Sequence, residues 1–207
     1  VSFVDVPAPH GRLEGLLWTV DAPRTAAVVC HPHPQQGGTM HNHVTYRIGD
    51  ALRKAGVAVL RFNFRGVGRS SGTYDEGRGE VEDARAALDF MAERFPGTAL
   101  VIAGFSFGAY VALRLAEADR RVTRALAAGV PLNTFDLSGV RALTVPRAFI
   151  HGERDELIAL EPVRRFVEEL SPPAKLFVVP GSDHLATGVL PAFERTAAEA
   201  VAWLLAA

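Results

Sequence analysis

Residues 104–108, Gly104-Phe105-Ser106-Phe107-Gly108, limit what this chain can fold into more than any other stretch. Before them runs Thr98-Ala-Leu-Val-Ile-Ala, an apolar segment with the length of a buried strand. After them runs Ala109-Tyr-Val-Ala-Leu-Arg-Leu-Ala-Glu-Ala, good helix formers with apolar residues at helical spacing. A strand must turn directly into a helix with a serine at the apex. Glycine on both sides suits that job, because a Cβ at Gly104 or Gly108 would crowd the turn and the strand–helix packing. The serine hydroxyl is pushed out of the sheet, and the next N–H lies at a helix N-terminus, where negative charge is stabilised. Ser106 is therefore a candidate covalent catalyst.

The pattern G-x-S-x-G occurs a second time, at Gly68-Arg69-Ser70-Ser71-Gly72, after the strand-like Val57-Ala-Val-Leu-Arg-Phe-Asn-Phe. The next residues there, Thr73-Tyr-Asp-Glu-Gly-Arg-Gly, read as a loop, so no helix cradles that serine. Ser70 and Ser71 are expected to be loop residues.

Around the elbow the chain reads as alternating strands and helices after an opening hairpin, Ser2–Val6 and Leu13–Val20. Strands are expected at Ala26–His31, Val57–Phe64, Thr98–Phe105, Ala125–Gly129, Arg147–His151 and Lys175–Val179. Helices are expected at Asn42–Ala55, Gly79–Phe95, Ser106–Ala118, Glu161–Leu170 and Pro191–Leu205. Strands apolar on both faces, alternating with amphipathic helices, predict an α/β fold. Its mainly parallel eight-stranded sheet would be covered on both sides. Such sheets bind ligands beyond the carboxyl ends of their strands. Those ends are chemically loaded here: His31-Pro-His-Pro, Arg65-Gly-Val-Gly, Ser106, His151-Gly-Glu-Arg-Asp155 and Gly181-Ser-Asp-His184.

A serine hydroxyl needs a base, for which histidine has a suitable pKa of about 6.5, and the histidine needs a carboxylate to fix its tautomer. The order Ser106, Asp155, His184 is the nucleophile–acid–base order expected of an elbow-bearing sheet. Glu153, Glu156 and Asp183 compete for the acid's role but are less well placed in register. An oxyanion needs two donors. One is expected to be the Phe107 N–H. The other should come from the loop after the third strand, where Pro32 and Pro34 have no N–H. The choice falls on His33, with Gln35 as the fallback.

Other signals point to weaker readings. His31, His33, His41 and His43 resemble metal ligands, yet no nearby Asp, Glu or second Cys completes a shell, so no metal and no cofactor is expected. Gly66-Val-Gly-Arg-Ser-Ser-Gly lacks dinucleotide-loop spacing, and Arg78-Gly79 replaces the Lys-Ser/Thr of a phosphate loop. Arg61, Asn63 and Arg65 recur at period two without an assigned role. A net charge of −1 gives no support for nucleic acid as a partner. The lone Cys30 suggests a reducing, cytoplasmic setting, and no run approaches membrane-spanning length. The first residue is Val, so a removed presequence stays open, as does oligomeric state.

With these residues in place, the chain resembles the α/β-hydrolase superfamily across essentially its whole length, as one domain over 1–207. His31-Pro-His-Pro with Gly37-Gly-Thr-Met and Asn42, then Arg61-Phe-Asn-Phe-Arg-Gly-Val-Gly-Arg-Ser-Ser-Gly, resembles a group of small bacterial serine hydrolases. These are related to the dienelactone-hydrolase and peptidase-like branches. It departs from the former in carrying serine, not cysteine, at the elbow. The resemblance implies hydrolysis of esters or related acyl compounds, with a small-molecule acyl ester as the partner. Short-chain carboxylesterase action leads, with peptidase, amidase or thioesterase action and a non-catalytic binding protein as alternatives. Between Gly129 and the seventh strand only Val130–Val145 remains, room for a short connector and not a cap domain. This implies an open cleft, for which Met40, Tyr74 and Leu132, with Phe105 and Phe107, are the expected apolar wall.

Overall fold

A computed structural model describes residues 1–207. Eight strands form one sheet: β1 (Ser2–Ala8), β2 (Gly11–Trp18), β3 (Thr25–Cys30), β4 (Ala58–Phe62), β5 (Ala99–Phe105), β6 (Val122–Ala128), β7 (Arg147–Gly152) and β8 (Ala174–Val179). Their order is β1-β2-β4-β3-β5-β6-β7-β8. The opening hairpin pairs antiparallel, β2 runs antiparallel to β4, and every pairing from β4 to β8 is parallel. The helices are α1 (His43–Lys54), α2 (Arg78–Arg94), α3 (Phe107–Ala118), α4 (Leu160–Glu168) and α5 (Leu190–Ala206). None is long and apolar enough to cross a membrane.

Side-chain alternation along the central strands divides the interior into two cores. Ala26, Val28 and Cys30 of β3, with Leu100 and Ile102 of β5, face α2, α3 and α4. Ala27 and Val29, with Val101, Ala103 and Phe105, face α1 and α5. Both faces of each central strand are therefore apolar, which is why these strands read as continuous hydrophobic runs. Helix α1 starts where Asn42 accepts the N–H groups of Val44 and Thr45, and Arg53 and Lys54 occupy its last turn.

This order places the site. From β3 the chain crosses by α1 to β4 on one side. From β5 it crosses by α3, over the opposite face, to β6 on the other. The carboxyl ends of adjacent β3 and β5 are thus the point where winding reverses, and a crevice opens there. His31–Pro34 leaves β3 and Ser106 leaves β5 at that point.

Candidate active site

The turn from β5 into α3 has no spare residue. Ser106 sits at φ 54°, ψ −119°, a backbone region that non-glycine residues seldom occupy, and its N–H is held by Ala128 O at 2.8 Å. A Cβ on Gly108 would lie 2.3 Å from the Cys30 carbonyl oxygen, so the first turn of α3 packs directly on the end of β3. The strained serine is thereby clamped between two elements. Phe107, the first residue of α3, has no turn before it to accept its N–H.

Three loops bring Ser106, His184 and Asp155 into one hydrogen-bonded line. His184 Nε2 lies 3.1 Å from Ser106 Oγ, and His184 Nδ1 lies 2.7 Å from Asp155 Oδ2. The imidazole and the carboxylate are nearly inaccessible, with side-chain exposures of 5% and 1%. Phe105 packs on the His184 ring at 5.1 Å. Asp155 also shapes its own loop: Oδ1 accepts the N–H groups of Leu157 at 3.0 Å and Ile158 at 2.9 Å. Burial alone would raise the Asp155 pKa, but the bonds from His184 and Ile158 outweigh it and hold the carboxyl below its usual range. The rival carboxylates have other partners. Glu153 accepts the Gly181 N–H, Glu156 the His184 N–H and Asp183 the Thr187 N–H. None of them bonds the imidazole.

The loop after β3 separates the two oxyanion candidates. Gln35 donates its N–H to His33 Nδ1 at 3.2 Å, whereas the His33 N–H has no acceptor in the chain. His33 lines the same pocket as Ser106 and Phe107.

Three expected wall residues lie elsewhere. Met40 is fully buried beneath the loop, and its main chain is the point of interest: Asn63 Oδ1 accepts the Met40 N–H at 2.8 Å, and Arg61 Nη1 donates to the Met40 carbonyl at 2.7 Å. Arg61 on β4 and Asn63 just past its end thus anchor the far end of the β3 loop. Tyr74 stands behind His33, its hydroxyl 3.2 Å from His33 Nε2. Leu132 packs against the core on the α3 face. Phe105 and Phe107 do border the cleft. The connector between β6 and β7 contributes Pro131, Asn133, Thr134 and Phe135 to the pocket wall, with Leu157 and Ile158 from the Asp155 loop. Two pockets of about 220 and 320 Å³ flank Ser106, the second bordered by Gln36, Asn42, His43 and Glu156. The sequence carried little sign of these residues, because a wall built by an irregular connector has no periodicity to read.

The remaining decoys resolve into packing. Ser70 is buried, donating to the Asn63 carbonyl at 2.7 Å and accepting the Glu14 N–H at 2.9 Å. Ser71 Oγ accepts the Arg12 N–H. Arg65 pairs with Asp83 at the base of α2. Of the four clustered histidines, His31 bonds two main-chain groups, His33 faces the cleft, His41 is exposed and His43 meets the Leu185 carbonyl at 2.6 Å. No group of three or more His, Cys, Asp or Glu residues is arranged to hold a metal ion.

Known proteins share this fold. Residues 21–137 match the family described as serine aminopeptidase, S33. The uncharacterized protein RP471 of Rickettsia prowazekii (strain Madrid E) is 39% identical over 168 residues, 79% of this chain and 71% of that protein. XC6422 of Xanthomonas campestris, described as an α/β serine hydrolase without lid, superimposes with a TM-score of 0.89 at 32% identity, over 98% of this chain and 94% of that one. An α/β serine hydrolase homologue from Coxiella burnetii gives a TM-score of 0.90 at 32% identity, covering 96% of each chain.

Proposed function

This chain belongs to the α/β-hydrolase superfamily, and from that premise we propose that it is a carboxylesterase cleaving short-chain acyl esters through an acyl-enzyme on Ser106. The observation that carries the reading is the line from Asp155 Oδ2 through His184 to Ser106 Oγ, at 2.7 and 3.1 Å. In the first step Oγ attacks the ester carbonyl while His184 Nε2 takes its proton. Asp155, accepting from Nδ1, fixes the tautomer that leaves Nε2 free and stabilises the imidazolium. The carbonyl oxygen becomes an oxyanion held by the N–H groups of Phe107 and His33. Collapse breaks the bond to the leaving alkoxide, which takes the proton from His184. Water then repeats the sequence against the acyl-enzyme, with His184 again as base, releasing the carboxylic acid and restoring Ser106.

The match to a serine aminopeptidase family favours amide cleavage as a second reading. That activity needs an acidic anchor for a free α-amine. Glu156 is the single carboxylate bordering either pocket, and its Oε2 already accepts the His184 N–H at 3.2 Å. Ester cleavage asks for no such anchor. A panel of p-nitrophenyl esters beside aminoacyl-anilides separates the two, with turnover expected on esters; preferential turnover of the anilides would install the peptidase reading. Fluorophosphonate labelling lost in Ser106→Ala distinguishes both from a non-catalytic binding protein.

A further inference from the structure

His31 is fully buried at the carboxyl end of β3, takes no part in the line of Ser106, His184 and Asp155, and yet has both ring nitrogens engaged. Nε2 lies 3.0 Å from the Phe64 nitrogen, which can only donate, so Nε2 accepts and carries no proton. Nδ1 lies 2.7 Å from the Pro32 carbonyl oxygen, which can only accept, so Nδ1 bears the proton. The two bonds determine the tautomer. They also tie the end of β3 to the residues just past β4.

The Pro32 carbonyl belongs to the same planar unit as the His33 N–H, and that peptide is trans. In a trans peptide the C=O and N–H point in opposite directions. Drawing the carbonyl inward onto His31 therefore turns the His33 N–H outward, toward the pocket that Ser106 and Phe107 line. Gly38 closes over the same carbonyl so tightly that a Cβ there would lie 2.1 Å from the Pro32 oxygen. Apart from that closure, His31 makes the one hydrogen bond on the carbonyl.

We infer that His31 is a positioning residue for the oxyanion site: its Nδ1–H, donated to Pro32 O, sets the plane of the Pro32–His33 peptide and aims the His33 N–H at the reacting carbonyl oxygen. This rests on the proposed esterase mechanism. Because the N–H meets its partner only as charge develops on oxygen, mis-aiming it costs kcat and leaves KM alone.

Two substitutions separate this role from plain support of the fold. In His31→Asn the side-chain amide nitrogen falls near the place of Nδ1, keeping the donor to Pro32 and losing the acceptor for Phe64. In His31→Gln the amide reaches the place of Nε2, keeping the acceptor and losing the donor. Loss of an oxyanion donor costs on the order of 10²–10³ in kcat, so a loosened one should cost on the order of 10 to 10². His31→Gln should lose that much kcat on a p-nitrophenyl ester with KM unchanged. His31→Asn should recover at least a tenfold part of it, while melting no higher than His31→Gln. Affinity for a trifluoromethyl ketone, which forms an oxyanion on Ser106, should fall with kcat in His31→Gln. Equal losses of kcat in the two variants, or a loss residing in KM, would overturn the inference. If either variant fails to fold, ¹⁵N shifts of the wild-type His31 ring decide: a proton on Nε2 in place of Nδ1 overturns it. Should Ser106→Ala keep full activity, the esterase reading itself fails. Should Ser106→Ala be inactive while His31→Gln is normal, only the positioning role does.

Discussion

The ring of His33 accepts the main-chain N–H of Gln35 at 3.2 Å, and this bond occupies the Gln35 donor while the His33 N–H stays free at the cleft. His33 lies at φ −54°, ψ 121°, within reach of the fixed ring of proline. His33→Pro should therefore fit the backbone and delete the N–H, while His33→Ala keeps the N–H and deletes the same ring. The pair isolates one atom. We expect His33→Pro to have a kcat lower than His33→Ala by on the order of 10²–10³, with similar KM. Equal kcat values would place the second oxyanion donor elsewhere.

Ser70→Ala should leave catalysis intact and weaken the fold. Its hydroxyl bridges Asn63 O and Glu14 N–H in a buried site, and truncation strands both groups. A loss of about 1–3 kcal/mol is expected in denaturant titration, with kcat/KM within twofold of wild type. If activity disappears from a fully folded Ser70→Ala protein, the wrong G-x-S-x-G has been assigned to the nucleophile.

Chain-length preference tests the cleft. The β6–β7 connector has one short 3-10 turn, Ser138–Ala142, and borders one side of the pocket through Pro131 and Phe135. It builds a wall, not a roof. Each added CH₂ should recover only part of its ~0.8 kcal/mol transfer free energy, so kcat/KM should peak between acetyl and butyryl esters. Rate should show no jump as substrate passes from monomer to micelle. Phe135→Ala should reduce butyryl more than acetyl turnover. A steady rise to decanoyl esters would reveal an enclosed acyl pocket.

Acid should weaken the fold well before the carboxylates titrate. Burial holds the His31 pKa at about 4, against an ordinary value of 6.5. Between these values the unfolded chain binds a proton that the folded protein does not, so stability falls as pH drops from about 6.5 to about 4. His151, also lowered by burial, acts in the same direction. Asp155, lowered by its hydrogen bonds against the effect of burial, contributes stability above its unfolded value and loses it only as pH falls through its still lower folded value. For His31 the change is roughly 3 kcal/mol. Urea midpoints should fall from about pH 7 to about pH 4.5, and His31→Asn should flatten the slope. A flat wild-type profile would contradict the buried neutral imidazole.

The architecture was legible in the sequence because its central strands are buried on both faces, and the elbow because Ser106 runs at once into Ala109-Tyr-Val-Ala-Leu through Phe107 and Gly108. Each loop residue in the Ser106–His184–Asp155 line could be found from its place after a strand. Met40 misled because an apolar residue beside a glycine-rich loop reads as a wall, whereas its backbone is what Asn63 and Arg61 hold. Arg61 and Asn63 act through the main chain of Met40, distant in sequence, and no local pattern encodes such a partner. Ser70 lies in a loop as expected, but its burial there was not legible because its partner Glu14 lies 56 positions away on the opening hairpin.

The proposed covalent ester on Ser106 can be trapped. Enzyme is mixed with a p-nitrophenyl ester, quenched in acid within a turnover, and the acyl group mapped by peptide mass spectrometry. The acyl group should sit on the peptide carrying Ser106. Ser106→Ala should give no adduct, and its kcat should fall by ~10⁴-fold or more. An acyl group on Ser70, Ser71 or a histidine, or undiminished hydrolysis by Ser106→Ala, would contradict catalysis through Ser106.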